Sequence, residues 1–266
     1  MDLQLQGKRA IVTGGSRGMG KAIARQLALE GCEVAIGART ERTLCEAAAQ
    51  IAQETGRKIV PLIVNTWNAE SIKGFVQQAA EALGGIHILA NCAARVGGTV
   101  PDNMDVISDE QIVRDFEEKF LGYYRCPREA APYMKQAGWG RIINLSGGAG
   151  RTPGIAISTP ARNIACVALT KSLANTLGPF GINVNAIYPG TTFTEAVLER
   201  SREQAKRQGK TFDAYLEELR QRSVIRHLVT AEDVAQVVVF LCSPLAISIT
   251  GEAISVSGGA NADMHY

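Results

Sequence analysis

Thr13-Gly14-Gly15-Ser16-Arg17-Gly18-Met19-Gly20 decides how the rest of the chain is read. It follows the short apolar run Ala10-Ile11-Val12 and opens into the helical pattern Lys21-Ala22-Ile23-Ala24-Arg25-Gln26-Leu27-Ala28. Strand, glycine turn and helix in that order bring backbone N–H groups and a helix N-terminus against a phosphate. Glycine reaches positive φ and leaves no Cβ between the backbone and a pyrophosphate. On this reading Gly14, Ser16, Arg17, Gly18, Met19 and Gly20 line a phosphate-binding turn. Both flanks that such a turn requires are present, which sets it apart from an ordinary glycine-rich connection.

Beyond the turn the pattern alternates. Strands are expected at 33–37, 59–64, 86–90, 141–145, 182–187 and 251–256. Helices are expected at 40–53, 71–83, 109–135, 161–177 and 231–242. Regular alternation of this kind predicts a single α/β domain over residues 1–266, a Rossmann-like doubly wound parallel sheet with helices on both faces. Residues 191–228 break the rhythm with two charged helical patterns, 195–208 and 213–222, whose apolar positions are sparse. An insertion after a strand's carboxyl end sits where ligands bind in such sheets. This one is read as a helical substrate lid, with a packing or interface element as the alternative.

The totals exclude several classes. With 266 residues, 20% of them charged, and a net charge of +2, the chain carries no field that argues for nucleic acid or a membrane surface. No apolar run approaches the roughly 18 residues of a spanning helix, and residues 1–8 lack the apolar core of a signal peptide. The six cysteines form no C-x-x-C pair and sit in expected helices and strands. A reduced, cytoplasmic protein with no metal site is the expectation.

The spacing of Gly14, Gly18 and Gly20, T-G-x-x-x-G-x-G, resembles the nucleotide loop of the short-chain dehydrogenase/reductase family. Other segments are similar to that family's motifs. Asn91-Cys92-Ala93-Ala94 stands where the family has N-N-A-G. Asn183 to Gly190 with Thr194 looks like N-x-x-x-P-G-x-x-x-T, Leu169-Thr170-Lys171 like the helix after the catalytic tyrosine, and Ile249-Thr250-Gly251 through Gly259 like I-T-G…G-G. The resemblance implies about seven strands, a homotetramer or homodimer, a small-molecule substrate and a nicotinamide dinucleotide held also by Asn91, Ala93, Pro189, Gly190 and Thr194. Asn65 occupies the place of an aspartate that partners adenine. An acidic residue ending the second strand would bind the ribose 2′-OH of NAD and repel a 2′-phosphate. Here Ala38 is followed by Arg39, and Arg17 stands in the glycine turn, so NADP(H) is expected rather than NAD.

The resemblance weakens at the catalytic positions. The family uses a tyrosine, a lysine, a serine and an asparagine. Counting back from Thr170 puts the tyrosine place at Thr159 and the lysine place at Asn163. The serine place falls on Gly147, with Ser146 one residue away, and the asparagine place falls on Lys119. A threonine hydroxyl has too high a pKa for acid–base work near neutrality. Lys119 and Asn163 together read as a positional swap that keeps an ammonium in the pocket. Tyr188, at the end of a strand, is the candidate phenol, with Tyr123 and Tyr124 behind it. Arg162 could meet an anion, and Val96, Gly97 and Gly98 are expected to line the pocket. The candidate catalytic set is therefore Lys119, Ser146, Thr159, Asn163 and Tyr188.

Three functions are compatible with these residues. The first is an NADP(H)-dependent oxidoreductase acting on a carbonyl or alcohol through a non-standard proton relay. The second is an inactive NADP-binding subunit or sensor, in a hetero-oligomer with an active relative. The third is a non-redox lyase or dehalogenase on the same scaffold. Fold resemblance does not choose among them.

Overall fold

Strands β5 (Gly140–Leu145) and β6 (Ile182–Pro189) are buried at every residue. That is the signature of a parallel sheet covered on both faces, where even the alternating polar residues Asn183 and Asn185 are buried. The computed structural model describes residues 1–94, 102–151 and 154–260. With β1 (Arg9–Thr13), β2 (Glu33–Ala38), β3 (Ile59–Ile63), β4 (Ile88–Asn91) and β7 (Ala253–Val256) they form one seven-stranded sheet. Its order is β3-β2-β1-β4-β5-β6-β7, and every pairing is parallel. Pro61, which cannot donate to a ladder, is tolerated because β3 is an edge strand.

Side chains alternate across the strands and feed two cores. Ala10, Val12, Val34, Ile36, Ile88 and Ala90 face one side. There they meet α1 (Gly18–Leu29), α2 (Glu41–Thr55) and α9 (Ala231–Cys242). Ile11, Ala35, Leu89 and Ile142 face the other, against α3 (Ala69–Leu83), α5 (Gly122–Ala137) and α6 (Ser158–Leu177). The chain winds outward from β1 to β3 and then restarts at β4 on the other side of β1. The carboxyl ends of β1 and β4 therefore open a crevice at the switch point, where doubly wound sheets bind ligands.

Two expectations about helices need correction. The region read as one helix over 109–135 is α4 (Asp109–Asp115), a π-helix (Phe116–Leu121) and α5 in unbroken succession. The helix expected at 161–177, α6, starts three residues before that. It begins at Ser158, and its cap position, Ile157, makes no side-chain cap. The cap comes from far away in sequence. Asp102 Oδ1 accepts the N–H of Ile157 at 3.2 Å and of Ser158 at 2.7 Å, and Oδ2 accepts that of Thr159 at 2.8 Å. Pro160 fits inside this first turn because no N–H is needed there.

The stretch 191–228 holds α7 (Glu195–Arg207) and α8 (Phe212–Gln221), packed on each other. Helix α7 buries Ser201 and Ala205, and α8 buries nothing fully. Cys45 is exposed on α2, against the expectation of buried cysteines, whereas Cys32, Cys126, Cys166 and Cys242 are buried. Among the described residues no helix is long and apolar enough to cross a membrane, and no cluster of His, Cys, Asp and Glu is arranged to hold a metal.

Candidate active site

The glycine turn is built by close approaches. Gly14 and Gly18 have φ of 71° and 54°. A Cβ on Gly20 would stand 2.3 Å from the Gly14 carbonyl oxygen, and one on Gly14 would stand 2.9 Å from the Ala93 nitrogen. The Gly14 N–H donates to the Gly37 oxygen at 2.7 Å. Thr13 Oγ1 accepts the N–H groups of Cys92 and Ala93 at 3.2 and 3.3 Å, which ties the turn to the end of β4. A Cβ on Gly18 would meet Thr194 Cγ2 at 3.3 Å, so the loop after β6, carrying Pro189, Gly190 and Thr194, forms the opposite lip.

This cradle fits a pyrophosphate. Arg17 at the cap of α1 makes no side-chain cap, and the first turn holds no acidic residue. The N-terminal donors and the positive end of the helix dipole are thus left for an anion. Ser16 is half-buried in the turn, and Met19 packs against the core below it. Asn91 donates from Nδ2 to Asn144 Oδ1 at 2.9 Å, while its own Oδ1 is buried without a partner among the described residues.

Arg17 and Arg39 are both exposed at the carboxyl edge of β1 and β2. The Arg39 guanidinium lies 5.3 Å from the centre of the Trp67 indole. Asn65 makes two local bonds. Its Oδ1 accepts the Trp67 N–H at 3.2 Å, and its N–H donates to Ser71 Oγ at 2.9 Å.

Lys119, Ser146 and Asn163 are brought together under the carboxyl ends of β4 and β5. Lys119, on the π-helix, is 4% exposed, and Asn163, one turn into α6, is 3% exposed. Lys119 Nζ donates to Asn163 Oδ1 at 2.7 Å and to the Ser146 carbonyl. Ser146 Oγ donates to the Asn163 backbone oxygen at 2.8 Å, so its proton is committed to the helix. Burial lowers the Lys119 pKa to about 7. Neighbouring Arg162 works in the same direction, while Cys166, Cys92 and Glu118 work against it. A Cβ on Gly147 would come within 2.6 Å of Asn163 Nδ2, so a side chain there would collide with the amide that holds the lysine. A π-helical turn is rare and frequent at functional sites, and this one carries Lys119.

The other candidates have further engagements, and the Tyr123 ring centre lies 5.7 Å from Lys119 Nζ. Thr159 is pinned by Asp102 through its N–H and its side chain. Tyr188 is buried under the Arg151 guanidinium, 3.9 Å from its ring centre, with Gly150 between its ring and Asn163. Tyr123 donates its phenol to the Leu145 carbonyl at 3.0 Å, and burial holds its pKa well above the usual value. Arg162 points inward and is buried. Burial likewise pushes the thiols of Cys92 and Cys166 up. Val96, Gly97 and Gly98 lie outside the described residues. Sequence reasoning missed Asp102, whose partners lie 55 to 57 residues away, and Trp67, which no local pattern marks.

Several known reductases share this shape. A family model described as enoyl-(acyl carrier protein) reductase matches residues 14–261. The 3-oxoacyl-(acyl-carrier-protein) reductase of Aquifex aeolicus is 32% identical over 260 residues, covering 97% of this chain and 99% of that protein. A short-chain reductase protein of Streptomyces niveus is 33% identical over 251 residues, 94% of this chain and 92% of that one. The crystal structure of L-sorbose reductase from Gluconobacter frateurii, complexed with NADPH and L-sorbose, superposes with a TM-score of 0.92 at 27% identity. That match covers 99% of this chain and 100% of the other. The chain belongs to the short-chain dehydrogenase/reductase family of oxidoreductases.

Proposed function

We propose that the protein is an NADP(H)-dependent carbonyl reductase in which Lys119, held by Asn163, supplies the proton. The observation that carries this is the buried Lys119–Asn163 hydrogen bond at 2.7 Å, at the two places where the family's asparagine and lysine are expected in the opposite order. An ammonium has three N–H groups. Two of those on Lys119 are spent on Asn163 Oδ1 and the Ser146 carbonyl. The third is left for the developing alkoxide, and the neutral amine that remains keeps both fixed bonds. Arg162 and Lys119 add positive charge where the alkoxide forms.

When bound, the dinucleotide supplies the hydride. Gly14 to Gly20 and the α1 N-terminus hold its pyrophosphate, with Asn91, Ala93, Pro189, Gly190 and Thr194 around it, and Arg17 and Arg39 meet the 2′-phosphate. NADPH bound in the Gluconobacter frateurii sorbose reductase supports the choice of cofactor. Arg39→Asp is expected to weaken NADPH binding at least tenfold and to leave NADH binding no weaker, as titrations of both would read.

Helices α7 and α8 act as a lid, and Val224 and Ile225, exposed just after α8, are apolar surface that closure would cover. The protein assembles as a homodimer or homotetramer. Exposed Tyr124 and Ile164 on α5 and α6 support a partner surface there.

NADPH consumption with 3-oxoacyl thioesters and with ketoses tests the main reading. Turnover of at least one carbonyl is expected. The second reading, an inactive NADP-binding subunit, is favoured by Thr159 being engaged by Asp102. Tight NADPH binding with no turnover on either panel would select it.

A further inference from the structure

The adenosine end of the cleft contains a residue that neither the glycine turn nor the arginines account for. Trp67 lies four residues beyond the end of β3, at the same carboxyl edge as Arg39. It is held from several directions. Its backbone N–H donates to Asn65 Oδ1 at 3.2 Å, and its backbone carbonyl accepts from Arg125 Nη1 at 2.9 Å. The Arg114 guanidinium stands 4.1 Å from the indole centre, and that of Arg39 stands 5.3 Å from it. Arg114 forms no ion pair among the described residues with Glu110 or Glu117, its helical neighbours, and lies over the indole instead. A cation over an aromatic face is a favourable contact that fixes the ring. The half-buried indole then walls an open groove of about 460 Å³ whose other sides are Asp109, Glu110, Val113, Arg114 and Glu117.

We propose that Trp67 is the wall against which the adenine base is seated, its indole held by Arg114 and its backbone by Arg125. This rests on the dinucleotide reading above and adds the residue that recognises the base. An aromatic face takes any purine by stacking. The carboxylates of Asp109, Glu110 and Glu117 supply acceptors of the kind an exocyclic amino group needs. Asn65, whose oxygen is already shared with Trp67, is a weaker partner for adenine than its place in the sequence implies. Arg39 follows the last residue of β2 and stands 5.3 Å from the indole centre, so one side chain serves both the base and the 2′-phosphate. The two tryptophans give a built-in comparison. Trp139 precedes β5 at the opposite edge of the sheet, beside His87, Lys8 and Arg141.

Dissociation constants for NADPH and NADH are to be measured on the wild-type protein and on Trp67→Ala, Trp67→Phe and Trp139→Phe, with tryptophan emission followed during titration. Trp67→Ala should weaken both dinucleotides by about tenfold, because the base is common to them. Trp67→Phe keeps an aromatic wall and should stay near wild-type affinity, which separates a lost contact from a lost fold. Quenching on titration with adenosine 2′,5′-bisphosphate should persist in Trp139→Phe and vanish in Trp67→Phe. The proposal is overturned if Trp67→Ala binds both dinucleotides as wild type does, or if quenching survives in Trp67→Phe. Equal wild-type affinities for NADPH and NADH would sink the 2′-phosphate reading while leaving the stacking result to stand on its own. No binding of either dinucleotide by the wild-type protein would overturn both.

Discussion

Lys119→Met is expected to lower kcat for NADPH-dependent carbonyl reduction by about a thousandfold, the middle of the range for a general acid. KM for NADPH should stay within about twofold, because the lysine touches the Ser146 carbonyl and Asn163 and not the glycine turn. The pH profile carries the sharper signature. Lys119 is drawn down to about 7 by burial first, with Arg162 adding to it and with Cys166, Cys92 and Glu118 opposing. The ammonium is the donating form, so kcat for reduction should fall as pH rises above about 7. A tyrosine donor near its ordinary value of about 10 would hold the rate flat through that range. Lys119→Arg keeps a cation in the pocket without a releasable proton, so it should remain slow at every pH. A variant with wild-type kcat and an unchanged profile would remove Lys119 from the mechanism.

The same lysine links pH to stability. Its folded-state pKa lies below its ordinary 10.5. Between about 7 and 10.5 the unfolded chain therefore carries a proton here that the folded protein has released. Stability should rise with pH across that window, and Lys119→Met should flatten the rise. Denaturant titrations at several pH values read this without any substrate.

The two halves of the molecule differ in how far the sequence discloses them. The β1–turn–α1 unit is legible because everything it needs is local. An apolar strand runs into glycines at positions that exclude a Cβ, and those lead into an amphipathic helix. The core strands announce themselves by their apolar runs. The polar centre is assembled otherwise, since Lys119 reaches Ser146 across 27 residues and Asn163 across 44. Only the motif register of the family placed those residues side by side in advance. Nothing in Phe116-Glu117-Glu118-Lys119-Phe120-Leu121 departs from an ordinary helical composition, so the π-helix that buries Glu118 and Lys119 was invisible. The π-helix is a tertiary outcome: the segment packs against α6 and gains from burial what it loses in regular hydrogen bonding.

Asp102→Ala is expected to cost about 2 kcal/mol of stability, the upper end of what a helix cap contributes, and to lower Tm by about 5 °C. The reason lies in how α6 begins. Its own cap residue, Ile157, offers no acceptor, and three successive N–H groups, those of Ile157, Ser158 and Thr159, depend on one carboxylate. A second carboxylate, Asp115 on α4, accepts the Ser158 hydroxyl at 2.6 Å and keeps the same turn against the helix that leads into Lys119. Burial pushes the Asp102 carboxyl up. The Thr159 side chain and the N–H groups of Ser158, Thr159 and Ile157 outweigh that and hold it below the ordinary 3.8. Its contribution is therefore complete above that value and is lost as pH falls through the lowered folded-state pKa. Wild-type protein should lose stability on acidification below about pH 4 more steeply than Asp102→Ala. Asp102→Asn, which keeps one acceptor oxygen and no charge, should fall between them. Asn163 stands on the second turn of this same helix, so loosening its first turn should also slow turnover. The loss should be about tenfold and far smaller than for Lys119→Met, because the carboxylate positions the helix and does not touch the reacting atoms. A variant with wild-type Tm and an unchanged acid limb would show that α6 finds its first-turn partners elsewhere.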